Sequence, residues 1–161
     1  MAQQNVEPTI KGNAMGLASR LANLVPTLVL RSPLHPLMSS RYAVLTFRGR
    51  RSGKTYHTPV GYCRSGDYVM ITTDSPWWRN LAGGQPVTLR LRGRDFSARA
   101  YPVDEEQQAV AVLRRLVEAM PSYAKFAHLK KEEGTIPESE FRRVLREGRV
   151  AIMIHLDNPG I

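Results

Sequence analysis

The chain is short of the groups on which much enzyme chemistry depends. Cys63 is the only cysteine among 161 residues, so no internal disulfide can form and an oxidising compartment has no support; a reducing cytoplasm is the expected setting. His35, His57, His128 and His155 are scattered and no second cysteine accompanies Cys63, so no metal site is expected. His155 reads as a surface or satisfied core histidine. Without a Gly-x-Ser-x-Gly elbow the chain gives no support to hydrolase chemistry. No long apolar run begins it: the longest near the start, Leu21 to Leu30, is interrupted by Asn23 and Pro26, and is expected to be neither a signal peptide nor a membrane span.

Positive charge is in excess, 23 Lys and Arg against 14 Asp and Glu, for a formal net charge of +9. This favours an anionic partner: nucleic acid, anionic lipid or a phosphorylated small molecule. The charges fall in clusters, with Arg48, Arg50, Arg51 and Lys54 in one predicted turn and Arg90, Arg92, Arg94 and Arg99 around another. Nothing resembles a recognition helix or a stacking-aromatic strand, so nucleic acid is supported by charge alone. The length and a hydrophobic content of 42% suffice for one self-supporting core.

Residues 1–40 are expected to be an N-terminal segment. A polar start to Gly12 precedes a short amphipathic helix over Asn13 to Val25, and Pro26, Pro33 and Pro36 limit the stretch from Leu28 to Met38 to a helical turn or connection. Residues 41–161 are expected to form the main domain. Strands are predicted over Tyr42 to Phe47, Thr55 to Cys63, Tyr68 to Thr73, Val87 to Leu91, Phe96 to Val103 and from Val150 to Leu156, about six in all. Pro59 marks the second as an edge or a bulge, and Ser65-Gly66-Asp67 closes a hairpin. Ser75-Pro76 starts one or two helical turns over Trp77 to Leu81. Asp104 followed by Gln107 reads as a capping box for a helix with the stripe Ala109, Val112, Leu113, Leu116, Val117 and Met120. Further helical pieces are expected over Tyr123 to Lys130 and from Pro137 to Gly148.

Gly53-Lys54-Thr55 is not a phosphate-binding P-loop, because the glycine needed five residues earlier is Arg48 and the flanks read as strands. A more informative pattern runs through Leu45-Thr46-Phe47-Arg48-Gly49-Arg50-Arg51-Ser52-Gly53-Lys54 into Thr58-Pro59-Val60-Gly61-Tyr62. It continues with Arg64-Ser65-Gly66-Asp67, Trp77-Trp78-Arg79-Asn80-Leu81 and Met120-Pro121-Ser122-Tyr123. This ordered set, over roughly residues 41 to 125, resembles the deazaflavin-dependent nitroreductase family.

The resemblance implies a split β-barrel, mainly β with flanking helices (α+β) and FMN-binding-like. It also implies a hydride-transferring oxidoreductase that uses coenzyme F-420, an 8-hydroxy-5-deazaflavin with a phosphate and an acidic tail, on a hydrophobic acceptor such as a quinone or nitroaromatic. By the same resemblance Arg51, Ser52, Gly53 and Lys54 lie near the phosphate or tail, and the backbone of Thr58, Pro59, Val60 and Gly61 lies along the ring. Trp77 and Trp78 also belong to the coenzyme site, and Tyr123 is a substrate-side hydrogen-bond donor. Arginine suits the first role because its planar fork can grip phosphate or carboxylate through two hydrogen bonds. The bland alternatives are a solvated basic turn, tryptophans that cap a barrel core, and tyrosines at a core edge.

Two departures from the family pattern stand out. Thr55-Tyr56 occupies the place of a Pro-Arg pair, and only Asp74-Ser75-Pro76 stands where a longer glycine-containing loop is usual, bringing a carboxylate where an anion would approach. Hence an alternative: a relative that has lost the coenzyme and binds a fatty acid or other apolar ligand at the membrane surface through Asn13 to Leu30. FMN is the other alternative ligand. A homodimer through a sheet face is expected from the fold type.

Overall fold

The computed structural model describes residues 40–158. The helix expected over Asn13 to Val25 and the turn over Leu28 to Met38 lie outside the described residues, as does the membrane contact assigned to them.

Among the described residues seven strands form one antiparallel sheet: β1 (Tyr42–Arg48), β2 (Thr55–Gly61), β3 (Cys63–Ser65), β4 (Tyr68–Thr73), β5 (Gln85–Leu91), β6 (Arg94–Pro102) and β7 (Val150–Leu156). The spatial order is β2-β1-β5-β6-β7-β4-β3, so β2 and β3 are the two edges. Only Tyr62 separates them in the chain. Laid flat, the two edges of such a sheet would stand about 29 Å from each other, yet a single intervening residue cannot span more than about 8 Å. The sheet must therefore roll until its edges meet, and the product is a split barrel. The expectation of about six strands missed one for the same reason. The stretch Thr55 to Cys63 is not one strand, because the Tyr62 backbone N–H turns to the Arg41 carbonyl (3.0 Å) and the chain crosses there from one edge to the other. Pro59, which has no N–H to give a ladder, sits on edge strand β2.

Strand alternation builds two apolar layers. Val69 and Ile71 on β4, Leu45 on β1, Leu89 on β5 and Ile152 and Ile154 on β7 fill the barrel, and each is fully buried. The residues between them, Met70, Ala151 and Met153, face outward against helices. The main outer helix is α1 (Glu106–Ala119), whose buried stripe is Ala109, Val110, Val112, Leu113 and Leu116. Burial of Leu113 and Leu116 contributes roughly 1.5–3 kcal/mol for each side chain. The helix begins one residue later than the capping box suggested: Glu105, not Asp104, is the cap, accepting from the N–H groups of Gln107 (2.8 Å) and Gln108 (2.6 Å). Pro121 stops it soon after Ala119.

α2 (Tyr123–Phe126) is shorter than the expected Tyr123 to Lys130, because His128 takes a left-handed backbone (φ 58°) that no helix continues through. α3 (Glu138–Arg146) packs on α1 and leads through Gly148, at φ 113°, into β7. A 3-10 helix over Pro76–Leu81 joins β4 to β5 across one end of the barrel.

Candidate coenzyme site at the basic turn

The site is built by the turn from Arg48 to Thr55, which joins β1 to β2. The Gly49 N–H donates to the Lys54 carbonyl (2.8 Å) and the Gly53 N–H to the Gly49 carbonyl (2.9 Å), so the loop folds back on itself. Both glycines are required by geometry. Gly53 has φ 65°, and a Cβ on Gly49 would lie 2.6 Å from the Ser52 Oγ and 2.8 Å from a Tyr56 ring carbon. The Arg48 guanidinium ties the turn shut by donating twice to the Gly53 carbonyl (3.3 Å each).

Two further contacts fix the turn against the rest of the molecule. The Arg50 N–H donates to the Asn80 Oδ1 (3.0 Å), and the Asn80 Nδ2 donates to the Trp77 carbonyl (2.9 Å), so one amide side chain links the turn to the 3-10 helix. Beneath it, Phe47 stacks between Tyr56 (ring centroids 5.6 Å apart) and Trp77 (5.4 Å). Such pairs add about 0.5–1.5 kcal/mol each beyond burial.

Between turn and 3-10 helix lies an open cleft of about 660 Å³, lined by Gly49, Arg50, Arg51, Ser52, Tyr56, Arg79 and Asn80. Among the described residues, three arginines and no carboxylate line it. None of the ion pairs among the described residues involves Arg50, Arg51, Lys54 or Arg79. Among the described residues their charge is therefore not cancelled, and the cleft is suited to an anion that accepts several charge-assisted hydrogen bonds.

Of the residues singled out in the sequence, Arg51 and Ser52 line this cleft, and Gly53 and exposed Lys54 complete its turn. Thr58, Pro59, Val60 and Gly61 run away from it along β2, with Val60 turned into the barrel core. The two tryptophans part company: Trp77 joins the Phe47 stack, whereas Trp78 lines a different hollow beside Arg149 and Leu145 and carries the Arg79 guanidinium 5.2 Å from its ring centroid. Tyr123 is 3% exposed and does not line the cleft; its hydroxyl lies 2.7 Å from Thr72 Oγ1 and donates to the Thr72 carbonyl at 3.2 Å. Burial, partly offset by the Thr72 hydrogen bond, raises its pKa above the ordinary tyrosine value and keeps it protonated. Its ring closes on β2, where a Cβ on Gly61 would meet Tyr123 Cε2 at 3.1 Å. Arg50, part of the basic cluster in the sequence, also lines the cleft, as do Arg79 and Asn80 of the Trp-Trp-Arg-Asn-Leu pattern, although the sequence assigns none of the three a role there.

Cys63 is buried, and burial pushes its thiol up to about 11, with Arg115 opposing, which keeps it in the protonated form. Among the described residues no group of three or more His, Cys, Asp or Glu side chains could hold a metal ion, and no helix is long and apolar enough to cross a membrane.

The rolled sheet defines a split-barrel protein, with a cationic cleft at the turn between β1 and β2. One similar solved structure is an F-420-H(2)-dependent reductase, 15% identical, with a TM-score of 0.50 over 71% of this chain and 94% of that one. Another is a conserved hypothetical protein of Mycobacterium tuberculosis, 17% identical, with a TM-score of 0.52 over 96% of this chain and 87% of that one. A third, described as a domain-swapped dimer, is 13% identical with a TM-score of 0.52 over 88% of this chain and all of its own. At these identities the likeness concerns the fold. No curated protein matches the chain. The family model of the F-420H(2)-dependent quinone reductases matches residues 33–137, and the chain belongs to that family.

Proposed function

We propose that this protein is a cytoplasmic deazaflavin-dependent oxidoreductase that passes a hydride from reduced coenzyme F-420 to a hydrophobic acceptor such as a quinone or nitroaromatic. Membership of the quinone reductase family supports the class of reaction. The observation that carries the rest is the cleft at the Gly49 to Tyr56 turn, where Arg50, Arg51 and Arg79 converge without a carboxylate among the lining residues. A phosphate and an acidic tail are the chemistry such a site takes.

In this reading Arg51 and Lys54 hold the phosphate or tail, Ser52 and Gly53 shape the approach, and Asn80 and Trp77 keep the turn in place. The unpaired side of edge strand β2, from Thr58 to Gly61, offers backbone groups along the ring. When bound, the coenzyme supplies the hydride, so the chain's own work is to grip, orient and exclude water. Tyr123 supports the Gly61 end of β2; to donate to an acceptor its hydroxyl would exchange the bond it makes with Thr72. A homodimer belongs to this reading, supported by the dimeric description of one structure of the same fold.

The alternative of a relative that has lost the coenzyme rests on Thr55-Tyr56 and on the short Asp74-Ser75-Pro76 loop; of these, the Asp74 carboxylate pairs with Arg149 (3.2 Å), which offsets part of its repulsion of an anion.

Titration with oxidised coenzyme F-420, followed by fluorescence, tests the proposal, with FMN in parallel. Saturable binding of F-420, weakened about tenfold by Arg51→Ala, is the expected result; tenfold corresponds to about 1.4 kcal/mol, the scale of one charge-assisted hydrogen bond. No saturable binding of F-420, or the same affinity in the variant, would overturn it.

A further inference from the structure

A second cleft, of about 500 Å³, opens at the other end of β1. The basic turn follows Arg48 at the C-terminal end of that strand, whereas this cleft is bordered by Arg41, just before Tyr42 at the N-terminal end, roughly 20 Å away along the strand. It lies between the β2–β3 junction, the β5–β6 hairpin and the C-terminus of α1. Its walls are apolar: Tyr62, Leu91 and Met120 are buried there and Phe96 is half-buried. Its rim is cationic, with Arg41, Arg92 and Arg94 exposed, and among the described residues no carboxylate lines it. None of the ion pairs among the described residues involves these three arginines; Asp95, beside them in sequence, is taken by Arg90.

The hairpin that supplies Arg92 adds an independent observation. Arg92 and Gly93 are the two residues between β5 and β6, and both have positive φ, 46° and 80°. This is the turn geometry that favours Asn or Asp followed by Gly, because those side chains tolerate the left-handed region and a long one gains nothing from it. Arginine is thus held in a backbone conformation that its own preferences oppose. Non-glycine residues in such conformations gather at ligand clamps, where the side chain is needed in spite of the backbone.

We infer that this cleft is a second binding site, which takes an organic anion of drug-like size: an apolar body seated on Tyr62, Leu91, Phe96 and Met120, with one carboxylate or phosphate head held by Arg92 and Arg94. The volume falls within the roughly 300–1,000 Å³ range of such sites. The division of labour is the usual one, apolar walls for affinity and a few charged groups for orientation.

The test uses the full chain without coenzyme and anilinonaphthalene sulfonate as the probe, with uncharged anilinonaphthalene as its neutral counterpart. The expected result is saturable fluorescence enhancement by the sulfonate. Arg92→Asn weakens it about tenfold while leaving the melting temperature unchanged or higher, since Asn suits the turn. Arg94→Ala, which changes no residue of positive φ, weakens it to a similar degree. Competition by naphthoate and by naphthyl phosphate then tells a carboxylate-preferring site from a phosphate-preferring one. Affinity within twofold of the parent in both variants, or equally tight binding of the neutral counterpart, overturns the inference. Because no coenzyme is present, this outcome is separate from that of the F-420 titration.

Discussion

Arg149, whose side chain is only 3% exposed, reaches from the start of β7 to the largely exposed carboxylate of Asp74 after β4, with 3.2 Å between Nη2 and Oδ2. The same guanidinium donates to the Thr72 Oγ1 (3.2 Å) and the Phe126 carbonyl (3.4 Å), and lies over the Phe126 ring. A buried cation is tolerated only when its donors are satisfied, so Asp74 acts as the wet half of a pair whose other half is dry.

Neutralising Asp74 therefore costs stability and does little for the coenzyme cleft. Asp74→Asn should lower unfolding stability in urea by about 1–2 kcal/mol, less than the loss of a fully buried partner because this carboxylate is solvated. Its affinity for F-420 should stay within about twofold of the parent's. A variant of unchanged stability that binds the coenzyme about tenfold more tightly would show that Asp74 repels the ligand after all.

At the start of α1 the assignment of the cap can be separated by one residue. Glu105 accepts from two N–H groups that the helix itself leaves unpaired. Glu105→Ala should cost about 1 kcal/mol of stability, and Asp104→Ala less than about 0.5 kcal/mol. Equal losses, or a larger one at Asp104, would place the cap where the sequence pattern put it.

That one-residue slip illustrates which features were legible. Periodicity is a local signal, and it located β7 and the stripe on α1; β4, buried on both faces, was legible instead from its β-rich composition and the Ser65-Gly66-Asp67 turn before it. Pro59 announced an edge strand for a local reason too, the missing N–H. Closure of the barrel was not legible at Tyr62, because the choice of edge depends on where strands far along the chain lie. Nor could a sequence pair Arg149 with Asp74 across 75 residues. The adjacent tryptophans show a subtler limit: on a 3-10 helix, neighbours point about 120° apart, so their adjacency in sequence does not tell that Trp77 stacks on Phe47 while Trp78 lines a separate hollow. The basic turn was recognisable from its glycines and arginines, but Arg79 and Asn80 enter the cleft only because the 3-10 helix packs against that turn.

Acid should expose a second charge network. The Glu140 carboxylate accepts from Arg143 Nε (2.8 Å) and Nη2 (2.7 Å) and from the Lys130 N–H (2.8 Å), and these partners, the Arg143 hydrogen bonds above all, hold it down to about 2 from the ordinary 4.5. The folded state thus binds fewer protons here than the unfolded chain. The resulting stabilisation is complete above about pH 4.5 and is lost as the pH falls through about 2. Glu106 and Glu138, each held below the usual carboxylate range chiefly by hydrogen bonds from Arg142, act in the same direction, so the comparison with a variant isolates the contribution of Glu140. Glu140→Gln should be less stable than the parent near neutral pH, and the difference between the two should shrink steadily between about pH 5 and pH 2. Urea midpoints measured across that range provide the check. A difference that stays constant down to the lowest pH would mean that the Arg143 and Lys130 contacts do not depend on the charge of Glu140.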